Sequence, residues 1–181
     1  MGVTTTTLLQ VDLQNLFFEA RNRDRKIDLE KVLQHFKARE AEFLTDALIY
    51  MIRGENFDSS KFEAKLKDIG YTIRIKNSYK MIRDNRVFYR QSNHDVNIAI
   101  DCLDKLDAYD KWILMSGDGD FIELCKYLRA RGKQVEIWSF KECLNKDIDR
   151  YADKINYIDK KFFLKIPKIN VFGFDWNWGP K

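Results

Sequence analysis

Proline, cysteine and histidine are scarce in this chain, with 2, 3 and 2 copies among 181 residues. The cysteines, Cys102, Cys125 and Cys143, form no CxxC pair and are odd in number, which argues against zinc and against a disulfide framework. Cys102 and Cys125 fall on apolar helix faces, where a free cysteine acts as a small hydrophobe. With so little histidine, proton shuttling by imidazole is a poor basis for catalysis. No uncharged apolar run reaches the roughly 18 residues that a membrane span needs. Met1 to Thr7 lack the basic stretch and apolar core of a secretory signal. A soluble, cytoplasmic protein is expected. There is no GxGxxG, which removes a dinucleotide site of the Rossmann type. A HAD-like phosphatase needs Asp-x-Asp after its first strand, and here Asp12 is followed two places on by Gln14.

What is present supports one substantial core: 45% of residues are apolar and 14% aromatic. The net charge of +4 is mild, but it is unevenly spread. Arg74, Lys76, Lys80, Arg83, Arg86 and Arg90 crowd one stretch against the single acid Asp84. Asp95, Asp101, Asp104, Asp107 and Asp110 crowd the next against Lys105. An acidic cluster beside a basic one suits a metal site facing a polyanion; solvated faces of two elements would give the same pattern.

Along the chain, strand and helix alternate. Thr4–Val11 reads as a buried strand ending at Asp12, and Leu16, Phe17 and Phe18 form a short apolar segment after it. Asp28 caps a helix with Leu29, Val32, Leu33 and Phe36 at helical spacing. Phe43–Ile52 is a second strand. Ser60 and Glu63 give a capping-box pattern, Phe62, Leu66 and Ile69 an apolar stripe, and Gly70 a stop. Tyr71–Lys76 is a third strand, and residues 79–90 a hairpin or long loop turning at Asp84-Asn85. Asp95 then stands where a helix cap belongs, ahead of an apolar face of Val96, Ala99, Ile100, Leu103 and Leu106. On that wheel Asp101 lies opposite the stripe and reads as solvated, as do Asp104 and Asp107. Trp112–Ser116 is a strand, Phe121, Leu124, Cys125 and Leu128 mark a helix stopping at Gly132, and Val135–Trp138 and Ile155–Ile158 are the last strands. The alternation predicts an α/β fold of three layers, a mostly parallel sheet with helices on both faces.

Ligands of such sheets bind beyond the carboxyl ends of the strands, near the switch point of the strand order. Two apolar runs end in aspartate there: Leu8-Leu9-Gln10-Val11-Asp12, and Trp112 to Met115 followed by Ser116-Gly117-Asp118-Gly119-Asp120. Asp12 alone reads equally as a helix cap. Gly117 and Gly119 permit a tight turn that brings Asp118 and Asp120 together. With Asp95 at the same edge, four carboxylates converge and repel one another unless protons or cations intervene. Hard oxygen donors of this kind suit Mg²⁺ or Mn²⁺, which activate water for in-line displacement at phosphorus.

Three segments then match a known pattern in order. Asp12-Leu13-Gln14-Asn15-Leu16-Phe17 resembles the DxxN opening of NYN domains. Asp95-Val96-Asn97-Ile98-Ala99-Ile100-Asp101-Cys102-Leu103 resembles their "DV.LA.D.L" helix. Ser116 to Phe121, with Arg131-Gly132-Lys133-Gln134-Val135-Glu136 after it, resembles their "SGD.DF…RGK.VE" segment. The LabA-like branch is the one most resembled, over residues 5–159. The resemblance implies a PIN-like fold and a Mg²⁺-dependent ribonuclease site. By position, Asp12, Asp95, Asp118 and Asp120 are its metal-binding acids, and Asn15 steadies Asp12 or a metal-bound water. Asp101 matches an acid common in that helix, in conflict with the wheel, which is preferred here. The family often carries Lys-Gly-x-Asp where this chain has Ser92-Asn93-His94-Asp95. The lysine's absence removes a phosphate contact that His94 could replace.

Residues 71–90 interleave Tyr71, Tyr79, Phe88 and Tyr89 with the bases, the mixture that holds unpaired nucleotides. Contacts to single-stranded RNA are expected from Lys80, Arg83, Arg86, Arg90, Ser116 and His94. Residues 1–160 are expected to form the domain. Residues 161–181, with Phe162, Phe163, Phe172, Phe174, Trp176 and Trp178, form an aromatic tail that packs on the domain, on a second copy in a homodimer, or on another protein. The expected function is metal-dependent hydrolysis of RNA. The alternative is a regulatory module on the same fold that binds RNA or protein with little turnover.

Overall fold

A computed structural model describes residues 4–23, 25–54, 58–83, 86–90 and 93–164, with residues 79–83 and 86–90 described by their backbone. Six strands form one sheet in the order β3-β2-β1-β6-β7-β8, and every neighbouring pair is parallel. They are β1 (Thr5–Asp12), β2 (Glu42–Arg53), β3 (Thr72–Asn77), β6 (Lys111–Met115), β7 (Gln134–Ser139) and β8 (Lys154–Tyr157). Between β3 and β6 lies a separate antiparallel pair, β4 (Tyr79–Arg83) and β5 (Arg86–Arg90). Its Asp84-Asn85 turn, like Phe172, Phe174, Trp176 and Trp178, lies outside the described residues.

The helices are α1 (Leu13–Arg21), α2 (Leu29–Lys37), α3 (Ser60–Ile69), α4 (Asp95–Asp104) and α5 (Ile122–Ala130). Side chains of a strand alternate between faces, so β1 feeds two cores. Leu9 and Val11 pack with Leu16, Val32, Leu33, Phe36 and Leu66 under α1, α2 and α3. Leu8 packs with Ile98, Cys102, Leu124, Cys125 and Leu128 under α4 and α5. A sheet covered on both faces explains why its strands read as continuous apolar runs. Phe162 is buried in the first core, and Ile27 bridges to Phe163. No helix among the described residues is long and apolar enough to cross a membrane.

Local signals mostly landed where they belong. Asp28 caps α2 by accepting from the Lys31 amide at 3.2 Å. Gly70 ends α3 in the left-handed region at φ 111°, which an L side chain rarely adopts. The cap of α3 is Ser59 rather than Ser60, and its hydroxyl meets the Glu63 carboxylate at 2.5 Å.

The face of α4 differs from expectation. Val96 is 65% exposed, Ile100 50% and Leu103 39%, while Ile98 and Cys102 are fully buried. The helix is turned so that Asp101, expected in solvent, lies against the sheet. Its carboxylate receives Arg74 Nε at 2.8 Å, Arg74 Nη2 at 2.9 Å and Tyr50 Oη at 2.9 Å. These three bonds satisfy a charged group beside the core, and they outweigh the exposure of three aliphatic side chains. Asp104 and Asp107 are exposed, as expected.

Candidate active site

The chain lays β1, β2 and β3 to one side and then crosses to place β6, β7 and β8 on the other. The order therefore reverses between β1 and β6, which pair in register from Thr7 with Lys111 to Val11 with Met115. Their carboxyl ends open a crevice, the usual ligand position in sheets of this kind. Asp12 ends β1, and the Ser116–Asp120 turn follows β6.

Asp12 is buried and fully engaged. Its Oδ1 accepts from the Asn15 amide at 3.2 Å, capping α1, and its Oδ2 accepts from Ser116 Oγ at 3.1 Å. Cap and site residue are thus one residue. Burial pushes its pKa up to about 6, resisted by the bonds from Asn15 and Ser116 and assisted by the charges of Asp95 and Asp118.

Asn15 works mainly on the turn. Its Oδ1 accepts from the Gly117 amide at 3.2 Å, tying the first turn of α1 to the end of β6. Ser116 is buried and accepts from the Asp118 amide at 3.3 Å while donating to Asp12. Asp118 in turn caps the short helical turn Gly119–Phe121, accepting from the Asp120 amide at 3.0 Å. A chain of hydrogen bonds therefore links Asp12, Ser116, Asp118 and the backbone of Asp120.

The two glycines act by close approach. The left-handed glycines among the described residues are Gly70 and Gly132, so the turn at Gly117 and Gly119 does not rest on positive φ. A Cβ on Gly117 would overlap the Ser139 hydroxyl and the Cys143 carbonyl. One on Gly119 would overlap the side-chain amide of Asn145. The loop after β7 is packed onto the turn, and the Asn145 amide donates to the Gly117 carbonyl at 2.9 Å. Asn145 was not anticipated; the contact is long-range and Asn has no diagnostic spacing.

Asp95 is the first residue of α4 rather than its cap, and Asn93 Nδ2 donates to its Oδ2. Burial raises its pKa, with further rises from Asp118 and Asp120. Carboxylate oxygens of Asp95, Asp118 and Asp120 all lie within 4.8 Å of one another. Asp12 sits deeper, close enough to feel two of these charges but outside that triad. Among the described residues, none of the four acids forms an ion pair, whereas Asp101, Glu136, Glu63 and Glu42 all do. Oxygen donors, tight spacing and missing countercharge fit a hard divalent cation.

His94 is placed against expectation. It is 4% exposed, with Nε2 against the Met51 carbonyl at 2.8 Å and Nδ1 buried with no hydrogen-bond partner among the described residues. Burial lowers its pKa, so it is neutral, and it faces the sheet rather than solvent. Ser116 likewise spends its hydroxyl on Asp12. Lys80, Arg83, Arg86 and Arg90 lie on β4 and β5, the pair that follows β3 and precedes α4 in the chain.

Sheet order and acid placement define a three-layer α/β domain with an acidic crevice at its switch point. The family model described as NYN domain matches residues 6–159, and the chain belongs to that family. The family is one of PIN-like nuclease folds. The chain is 30% identical over 152 residues to the low amplitude and bright protein LabA of Synechococcus elongatus, a match covering 82% of this chain and 80% of that protein. The crystal structure of a Vibrio parahaemolyticus protein of unknown function superposes with a TM-score of 0.77 at 24% identity. That superposition covers 91% of this chain and 99% of the other, and it concerns the fold alone.

Proposed function

We propose that this domain hydrolyses RNA phosphodiester bonds at the acidic crevice, with Mg²⁺ or Mn²⁺ held by Asp95, Asp118 and Asp120 and supported by Asp12. The observation that carries this reading is the set of three convergent carboxylates, none of them ion-paired among the described residues, at the switch point of a nuclease-family sheet. A divalent ion there supplies Lewis acidity for water attack on phosphorus and for the charge gathering on the phosphoryl oxygens.

The protein's part is positioning. Ser116 and the Asn15 amide fix Asp12 with both oxygens engaged, so the carboxylate cannot swing out of the crevice. Asn15 holds the turn through Gly117, and Asp118 holds it through the Asp120 amide, so the two acids of the turn move as a unit. Asp95 arrives from α4, whose angle is set by the Asp101–Arg74–Tyr50 contact. Lys80, Arg83, Arg86 and Arg90 of the hairpin are the bases assigned to contact the flanking single strand in this reading.

The test is incubation of labelled single-stranded RNA with purified protein, with Mn²⁺ or EDTA, beside Asp118→Asn. Cleavage that needs the metal and is lost in the variant supports the reading. Metal bound without cleavage under any divalent ion leaves a binding module on this fold.

A further inference from the structure

We propose that Lys76, on β3, is a phosphate-contacting residue of the same site, holding a backbone phosphate of the RNA beside the metal-binding acids. This rests on the nuclease reading and adds a substrate contact to it.

The geometry begins with alternation along β3. Ile73 and Ile75 pack into the core under α1, α2 and α3, so Thr72, Arg74 and Lys76 share the other face, toward α4. Each has a polar partner there. Thr72 Oγ1 reaches Asp46 Oδ1 at 3.2 Å, Arg74 grips Asp101, and Lys76 Nζ donates to the Asn93 carbonyl at 2.7 Å. Lys76 is the member of this row nearest the carboxyl edge of the sheet, where it pairs with Ile52 of β2.

Its ammonium is one residue away from the acids. Asn93 accepts from Lys76 through its backbone and donates to Asp95 through its side chain. The Lys76 charge is felt by both neighbours, favouring the ionised form of Asp95 and opposing the charged form of His94. Yet among the described residues the ammonium pairs with no carboxylate, while Arg74, Lys105 and Lys111 each do. A lysine serving as countercharge to the cluster would sit on Asp95. This one rests on a neutral carbonyl, which uses one of its three N–H groups and leaves the rest for an anion. Asp95, bonded only to the neutral Asn93 side chain among the described residues, keeps its charge for a cation. A compact point charge beside a bound divalent ion suits a non-bridging phosphate oxygen shared between the two.

The experiment compares wild type, Lys76→Met and Lys76→Arg. Affinity for a short single-stranded RNA is measured over a salt series with Ca²⁺ as a binding-only ion, and Mn²⁺ affinity is measured without RNA. Lys76→Met should weaken RNA several-fold and make the salt dependence shallower by about 0.7 in log–log slope, one single-strand phosphate contact. Mn²⁺ should bind as tightly as in wild type or more so, because a repelling charge is gone. Lys76→Arg should keep most of the RNA affinity. If Lys76→Met leaves affinity and slope unchanged, the assignment is wrong even where wild type cleaves. If it weakens Mn²⁺ and RNA together, Lys76 merely braces the Asn93 loop. If wild type binds Mn²⁺ but no RNA, this contact and the nuclease reading fall together. Binding without cleavage, with the Lys76 effects intact, removes only the nuclease reading.

Discussion

The Arg74 guanidinium holds the Asp101 carboxylate by two bonds, Nε to Oδ2 at 2.8 Å and Nη2 to Oδ1 at 2.9 Å. Tyr50 adds a third from its hydroxyl, and Tyr50 in turn receives Gln10 Nε2 at 2.5 Å. Gln10 is fully buried; it also reaches the Ile98 carbonyl at 3.1 Å and accepts from Trp112 Nε1 at 2.6 Å. Four strands and α4 are therefore joined by one polar network.

Asp101→Ala should destabilise the fold by about 2 kcal/mol, the usual cost of losing charge-assisted bonds and stranding their donors. Half-exposed Arg74 can rehydrate, which keeps the figure from rising further. Urea melts read this directly. Metal affinity should fall as well, since α4 carries Asp95; a variant with wild-type stability and wild-type Mn²⁺ affinity would remove the network from the account.

Mutual repulsion among the crevice carboxylates predicts a thermal response to metal. Millimolar Mg²⁺ or Mn²⁺ should raise Tm by mass action, and Asp118→Asn should lose most of the rise. An equal shift in both proteins would locate the ion elsewhere.

Asp12 gives the site a pH dependence whose sign follows from its raised pKa of about 6. Unfolded, the carboxyl ionises near 4; folded, it keeps its proton to about 6. Stability in EDTA should therefore fall as pH climbs between those values, by about 3 kcal/mol in all, and stay low above them. Metal affinity should run the other way, rising up to about pH 6 as the competing proton leaves and then levelling. Asp12→Asn should flatten both profiles and make the metal-free protein more stable at pH 8. A stability profile in EDTA that rises from pH 4 to 6 through this residue would contradict the burial argument.

The hairpin test is one of salt dependence. Arg83→Glu with Arg86→Glu should weaken RNA binding and flatten its salt slope, with folding retained. Unchanged affinity and slope would move the RNA path off the hairpin.

Much of this arrangement was legible in the chain because it depends on local order. Strands buried on both faces must be apolar throughout, and a carboxylate at the end of each of two such runs can hardly fail to reach the crevice. The convergence of Asp95, Asp118 and Asp120 was expected from that and from the NYN pattern, though Asp12 lies outside their triad. What hydrophobic periodicity misjudged was α4, because its buried side carries an aspartate whose partner, Arg74, comes from a strand 27 residues earlier. Apolar counting sees Val96, Ile100 and Leu103 and turns the helix the wrong way. The same blindness hid Gln10 and His94, polar residues made acceptable in the interior by partners that sequence spacing does not reveal. Gly117 and Gly119 were expected to permit the tight turn; the constraint that sequence spacing does not reveal is the neighbouring loop packed against them, with no positive φ at either.

That last distinction can be tested on its own. If Gly119 were needed for positive φ, no change elsewhere could rescue an alanine there. The structure instead puts the Asn145 side chain where the new Cβ would go. Gly119→Ala should therefore displace either Asn145 or the turn carrying Asp118 and Asp120, weakening Mn²⁺ binding about tenfold or more with a modest loss of stability. Asn145→Ala alone should be mild, since its backbone bond to the Gly117 carbonyl survives. In the double variant the overlap with the amide is gone, leaving a tight 3.3 Å contact to the Cβ of residue 145, and metal affinity should return most of the way to the Asn145→Ala level, a strong favourable coupling between the two positions. Additive losses in that cycle would show that the glycine serves the backbone after all.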